Sequence, residues 1–221
     1  MENKFEMIVE ALKEKACLKQ AVYRSSLVTF KKMKAIAKSV AEALADRFAG
    51  IDKSVVIEYK EINEFEFYLK FSGDLLIFTM HSNISTVTEE HLIAKSPYVQ
   101  ENPNRGYFGH IMVYNFMADS LKYKRYKDPG YLIARMMLNE EDHFYIEGVR
   151  QLNFLHPDIA QNKVSDELLK LFIESAMLTA VGQDLYVPNY QDVQVVPLGS
   201  KMENQMVSGG FKVGFQMVKK G

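Results

Sequence analysis

The hydrophobic pattern changes period at Gly50, and that switch restricts the fold more than any composition figure does. Before it, Phe5, Ile8, Val9, Leu12 and Ala16 recur at three- and four-residue spacing, and so do Phe30, Met33, Ala37, Val40, Leu44 and Phe48. Each set lines one side of a helix, so two amphipathic N-terminal helices are predicted, the second capped by Ser25 or Ser26 and ended by Gly50. After Gly50, Val55-Val56-Ile57-Glu58-Tyr59 is followed by Phe65, Phe67, Leu69 and Phe71 alternating with Glu66, Tyr68 and Lys70. A period of two sends neighbouring side chains to opposite faces of a strand.

The strand pattern continues. Ser72-Gly73-Asp74 reads as a turn into Leu75–Met80, which is apolar on both faces as a central strand would be. Further strands are expected over Ile111–Met117, Tyr131–Leu138 and His143–Val149, with Asp128-Pro129-Gly130 turning the chain before the last hairpin. Ser165-Asp166-Glu167 then starts a helix through Leu168, Leu169, Phe172, Ile173, Ala176 and Met177 that stops near Gly182. The fold class is therefore α+β: a mainly antiparallel sheet with two N-terminal helices and one C-terminal helix packed against it. Residues 1–185 read as one domain. Residues 186–221 read as an irregular tail, broken by Pro188, Pro197, Gly199, Gly209, Gly210 and Gly214, with a short strand over Phe211, Val213 and Phe215.

Charge and composition narrow the function classes. Acidic and basic residues nearly cancel at a net charge of -1, so no global field draws in nucleic acid or an anionic membrane. Lys31, Lys32, Lys34 and Lys38 are read as a solvated helix face. A single cysteine, Cys17, excludes an internal disulfide and is expected to be a buried, inert thiol. No apolar run approaches the ~18 residues of a spanning helix, and charges interrupt the first apolar stretch too early for a signal peptide. A cytoplasmic protein with no membrane association is expected.

Chemistry-bearing motifs are few. There is no Gly-x-Ser-x-Gly elbow, phosphate loop or dinucleotide fingerprint, and the five histidines, His81, His91, His110, His143 and His156, show no metal-ligand spacing. No catalytic residue, metal site or cofactor is expected, and an enzyme is disfavoured. His81 ends one strand and His110 starts another, which would bring them to the same end of the sheet. Arg135, a lone charge on an apolar strand, either pairs with Glu147 or an acid of a neighbouring strand, or joins Arg150 in holding an anionic ligand; the structural pair is preferred.

The strand Val55–Lys60, ending in Glu58-x-Lys60 after a helix carrying Glu42, resembles one part of the restriction-endonuclease-like nucleases. The resemblance implies magnesium held by two acids and a lysine that supports the attacking water. Asp74 is the best second acid, although it follows Glu-x-Lys where the pattern has it precede; Asp52 precedes but lies too close. The preferred alternative is that Glu58, Lys60 and Glu61 are solvated strand-end residues.

The stretch from Pro97 to His110 reads as a long polar and aromatic loop, and such loops tend to carry function. Tyr98, Arg105, Tyr107, Phe108 and His110, with Arg135, are the candidate binding residues, of the types that anchor interfaces. The alternative of equal weight is that Tyr107 and Phe108 cover the sheet. The expected function is a binding or assembly module that uses this loop on an unknown protein or small-molecule partner. The alternatives are a metal-dependent phosphodiesterase and a sensor of a small anionic ligand. Self-association as a dimer is expected from the long strands and the apolar tail residues Met206, Val207, Phe211, Val213 and Phe215.

Overall fold

The computed structural model describes residues 3–149, 152, 158–184, 187, 189–195 and 197–199. Arg150, His156, Pro188 and the tail residues from 200 onward lie outside them.

The two N-terminal helices are one rod. Helix α1 (Lys4–Ala11) passes through a π-helical turn, Leu12–Ala16, into α2 (Cys17–Phe48) with the backbone helical at both junctions. No Gly or Pro interrupts residues 4–48, and Leu18 and Val22 carry the apolar stripe across the gap. Ser25 and Ser26 are consequently inside the helix, not at its cap: Ser26 Oγ donates to the Val22 carbonyl at 2.8 Å and Ser25 Oγ bonds to Asp142. Two further expectations about this rod are corrected. Cys17 is exposed, because it lies outside the buried stripe that Leu18 and Val22 begin. Lys34 is buried, its ammonium bonding Glu61 at 2.8 Å and the Asn63 carbonyl at 2.7 Å, whereas Lys31, Lys32 and Lys38 are solvated. A buried ammonium persists because both of these acceptors reach it.

Six strands follow as an antiparallel sheet in chain order: β1 (Ile57–Asn63), β2 (Glu66–Phe71), β3 (Asp74–Thr86), β4 (Tyr107–Met117), β5 (Tyr131–Leu138) and β6 (Phe144–Gly148). Between β3 and β4 the chain forms a short helix, α3 (Pro97–Glu101), and a 3-10 turn over Pro103–Gly106. The stretch read as a loop is thus structured. Each turn starts on a proline behind a capping side chain, Ser96 for Val99 N–H and Asn102 for Asn104 N–H. After Gly106 the alternation of β4 begins at Tyr107, four residues earlier than Ile111. Helix α4 (Ala118–Lys122) follows β4, and α5 (Asp166–Val181) follows β6, its N-terminus capped by Ser165 Oγ. A last short helix, α6, spans Tyr190–Val193.

The strand alternation divides the sheet into two faces. One carries Phe67, Leu69, Leu76, Phe78, Ile111 and Val113 against Phe30, Met33 and Ala37 of α2 and Phe172 and Ile173 of α5, all fully buried. Phe67 stacks on Phe78 with centroids 4.6 Å apart and tilts against Phe30 at 5.4 Å. Each such ring contributes about 1.5–3 kcal/mol by leaving water, so this layer holds the domain together. Gly109 lets α2 approach β4 closely, because a Cβ there would collide with Ser26.

The opposite face is covered only at its ends. At one, Tyr68 and Leu75 pack on Ala118 of α4; at the other, Ile93 and Val99 close over Phe108 and Met137. Between them a half-buried row runs across the strands in register, Thr79, Met112, Arg135 and Glu147.

Candidate functional site

Apart from Tyr107, the predicted binding residues fall into two groups on the outer face, and both are largely satisfied from within. Tyr98 and Arg105 come together: the guanidinium lies 4.4 Å from the Tyr98 ring centroid and donates to the Tyr98 carbonyl at 3.1 Å. It also donates to Glu141 at 3.0 Å and Glu101 at 2.7 Å. The Tyr98 hydroxyl donates to Glu141 at 2.7 Å and accepts from buried Asn139 at 3.0 Å. Burial, with the neighbouring carboxylate, pushes the Tyr98 phenol up to about 12, although Asn139 and Arg105 act the other way. Glu141 is pulled below the usual carboxylate range: burial opposes this, but hydrogen bonds from Tyr98 and Arg105 outweigh it. Phe108 is fully buried between Ile93, Val99 and Met137, while Tyr107 points to the helix side, half-buried, with the Lys19 ammonium 5.9 Å from its ring.

The second group surrounds Arg135. Its guanidinium bonds Glu147, which also bonds His91 Nε2 at 2.7 Å. Glu147 is held below its usual range, because the bonds from His91 and Arg135 overcome the effect of its burial. The Arg135–Glu147 pair is the one expected of a lone charge on an apolar strand, and His81 and His110, expected to share one end of the sheet, are direct cross-strand partners. His91 was not anticipated; nothing in the sequence links it to Glu147. His110 Nε2 bonds Ser85 Oγ, while its Nδ1 is buried with no partner among the described residues. Burial and the charge of Arg135 lower the His110 pKa.

The paired acids that the nuclease resemblance requires do not meet. Glu58 is on the outer face, accepting from Tyr68 at 2.9 Å and Lys70 at 3.3 Å. Asp74 is on the helix face, beside Asn115 at 3.4 Å. With the sheet between them the two carboxylates have no common cation position. Among the described residues no group of three or more His, Cys, Asp or Glu converges as a metal site, and no helix is long and apolar enough to cross a membrane.

A third surface escaped the sequence reading. Helices α2 and α5 diverge beyond the core and leave an open groove of about 1050 Å³. Its floor includes Val40, Ile57, Phe71 and Met177; Leu44 and Phe48 form one wall, Leu178 and Val181 the other. Asp74, Arg47, Lys170 and Glu174 edge it. Burial raises the Asp74 pKa, with partial relief from the Asn115 hydrogen bond. The sequence does hold a signal for this groove. Leu178 and Val181, which line it, widen the apolar arc of α5 beyond what one sheet covers, and both are exposed.

No family model matches the chain, and no curated protein or solved structure matches it.

Proposed function

We propose that this protein is a non-catalytic binding module whose working surface is the groove between α2 and α5. The observation that carries the reading is an apolar concavity of about 1050 Å³ edged by charges, a form that suits an apolar ligand or the apolar side of a partner segment. Segment 97–110 serves instead as the cover of the outer sheet face. The Nε and Nη1 groups of Arg105 already have acceptors, and Phe108 has no exposed surface to offer. Arg135 is engaged by Glu147 in the same way.

Titration with an apolar naphthalene-sulfonate dye at sub-micromolar protein tests this. The dye should bind the wild-type chain, and Leu178→Glu should weaken it at least tenfold. Leu178 is 65% exposed, so the substitution leaves the core intact. Dye binding that ignores Leu178→Glu would overturn the reading.

A further inference from the structure

Resting on that reading of the groove, we infer that its occupant is the N-terminal helix of a second copy of this chain, inserted reciprocally to form a two-fold dimer. Among the described residues, two apolar surfaces of matching form have no partner. One is the groove. The other is the segment Lys4–Ala16, where no α1 residue is buried and Phe5, Ile8 and Leu12 stand 66%, 57% and 56% exposed along one side. An amphipathic helix seated in an apolar groove is a recurrent mode of recognition.

The lengths agree. At 1.5 Å per residue, Lys4–Ala16 rises ~20 Å; the lining stripes span ~18 Å on α2, from Ile36 to Phe48, and ~22 Å on α5. Insertion within one molecule is impossible while the rod is continuous. Ile8 and Val40 are then ~48 Å apart along the same axis, so α1 reaches a groove only on another copy.

The charges agree as well. Helix α5 starts near Ser25, since Val164 N–H donates to the carbonyl of Asp142, which itself bonds Ser25. It ends near Asp74, since Gln183 and Asp74 both contact Asn115. It therefore runs in the same direction as α2. A two-fold exchange makes the incoming α1 antiparallel to both. Lys15, beside the apolar side at the trailing end of the inserted segment, then meets Asp166 and Glu167, which line the groove at the start of α5. This pairing of opposite charges favours that direction of insertion. Because each copy gives a helix and receives one, the assembly closes and two equal contacts form.

Sedimentation velocity of the full chain from about 1 to 100 µM, with three proteins and a mixture of the two variants, tests the exchange. The wild type should be a dimer. The helix variant Ile8→Glu/Leu12→Glu and the groove variant Leu178→Glu/Val181→Glu should each raise the dissociation constant at least tenfold. All four positions are exposed, so unfolding does not explain a loss, and circular dichroism checks it. Mixing the two variants should restore association partway, because the mixed pair regains one intact helix–groove contact that neither variant has alone. Wild-type dimer should also exclude the dye as concentration rises, while the helix variant binds dye at every concentration. A monomeric wild type overturns the exchange, whether the groove then takes the dye freely or takes it only after residues 200–221 are removed. A dimer indifferent to the helix variant, or mixed variants that fail to associate, overturns it too. In those cases dye binding that still responds to Leu178→Glu leaves the groove reading standing.

Discussion

Gly109 on β4 lies directly beneath Ser26 of α2, so close that a Cβ at position 109 would come within 2.9 Å of Ser26 Cβ. The helix sits at this height because both residues are small. Gly109→Ala should therefore destabilise by ~1–3 kcal/mol through overpacking. Adding Ser26→Gly should restore part of that loss beyond additivity, since the colliding atoms are gone. Chemical denaturation of the four proteins in the cycle measures it, and strictly additive costs would refute the contact.

Asn139 is fully buried at the turn between β5 and β6 and uses both ends of its amide. Its NH2 donates to the Tyr98 hydroxyl and the Arg105 carbonyl, and its oxygen accepts from the Glu141 and His143 amides. Asn139→Ala strands those groups and should cost about 2–4 kcal/mol of stability. Unchanged stability in urea titration would show that the segment from Tyr98 to Arg105 is not anchored to this turn.

His110 gives a pH dependence of definite sign. Burial and the charges of Arg135 and His81 lower its pKa from the ordinary 6.5. The unfolded chain thus takes up the proton first as pH falls. The stability it contributes is complete above pH 6.5 and is lost as pH drops through the folded value. Glu147, lowered from 4.5, loses its contribution only at more acid pH. Melting temperature should fall as pH drops below 6.5, and His110→Gln should flatten that part of the profile; a variant with the same slope as wild type would assign the effect elsewhere.

Asp74 has the opposite sign. Burial raises its pKa from 3.8, so the folded chain holds the proton more tightly and stability is lost as pH rises through the raised value. Asp74→Asn should accordingly raise the melting temperature at neutral pH and give no gain below pH 3.8. Glu58→Ala, acting on the other face, should add its effect independently. Magnesium or manganese should barely shift any of these melting curves. A rise of several degrees abolished by either substitution would restore the paired-acid reading, because a ligand confined to the folded state must stabilise it.

Periodicity along the chain was sufficient for the apolar faces of the long helices, though not for the continuity of the N-terminal rod or for the short helices, and for most of the strands and the antiparallel hairpins, because a repeat of 3.6 or 2 is a local property that decides which side chains share a face. It also brought His81 and His110 to one end of the sheet, and it gave Arg135 its partner because the short β5–β6 turn sets that hairpin's register. The start of β4 was legible in principle, as the alternation from Tyr107 shows, but the glycines and prolines before it resembled loop punctuation. Tertiary structure alone decided what each face meets. Phe108 became core and Arg105 became occupied because residues 87–106 fold back over the sheet, and Lys34 was buried because Glu61 and the Asn63 carbonyl stand across from it. The groove depends on how far α2 and α5 diverge over the end of the sheet, a distance set by packing between residues more than a hundred positions apart in the chain.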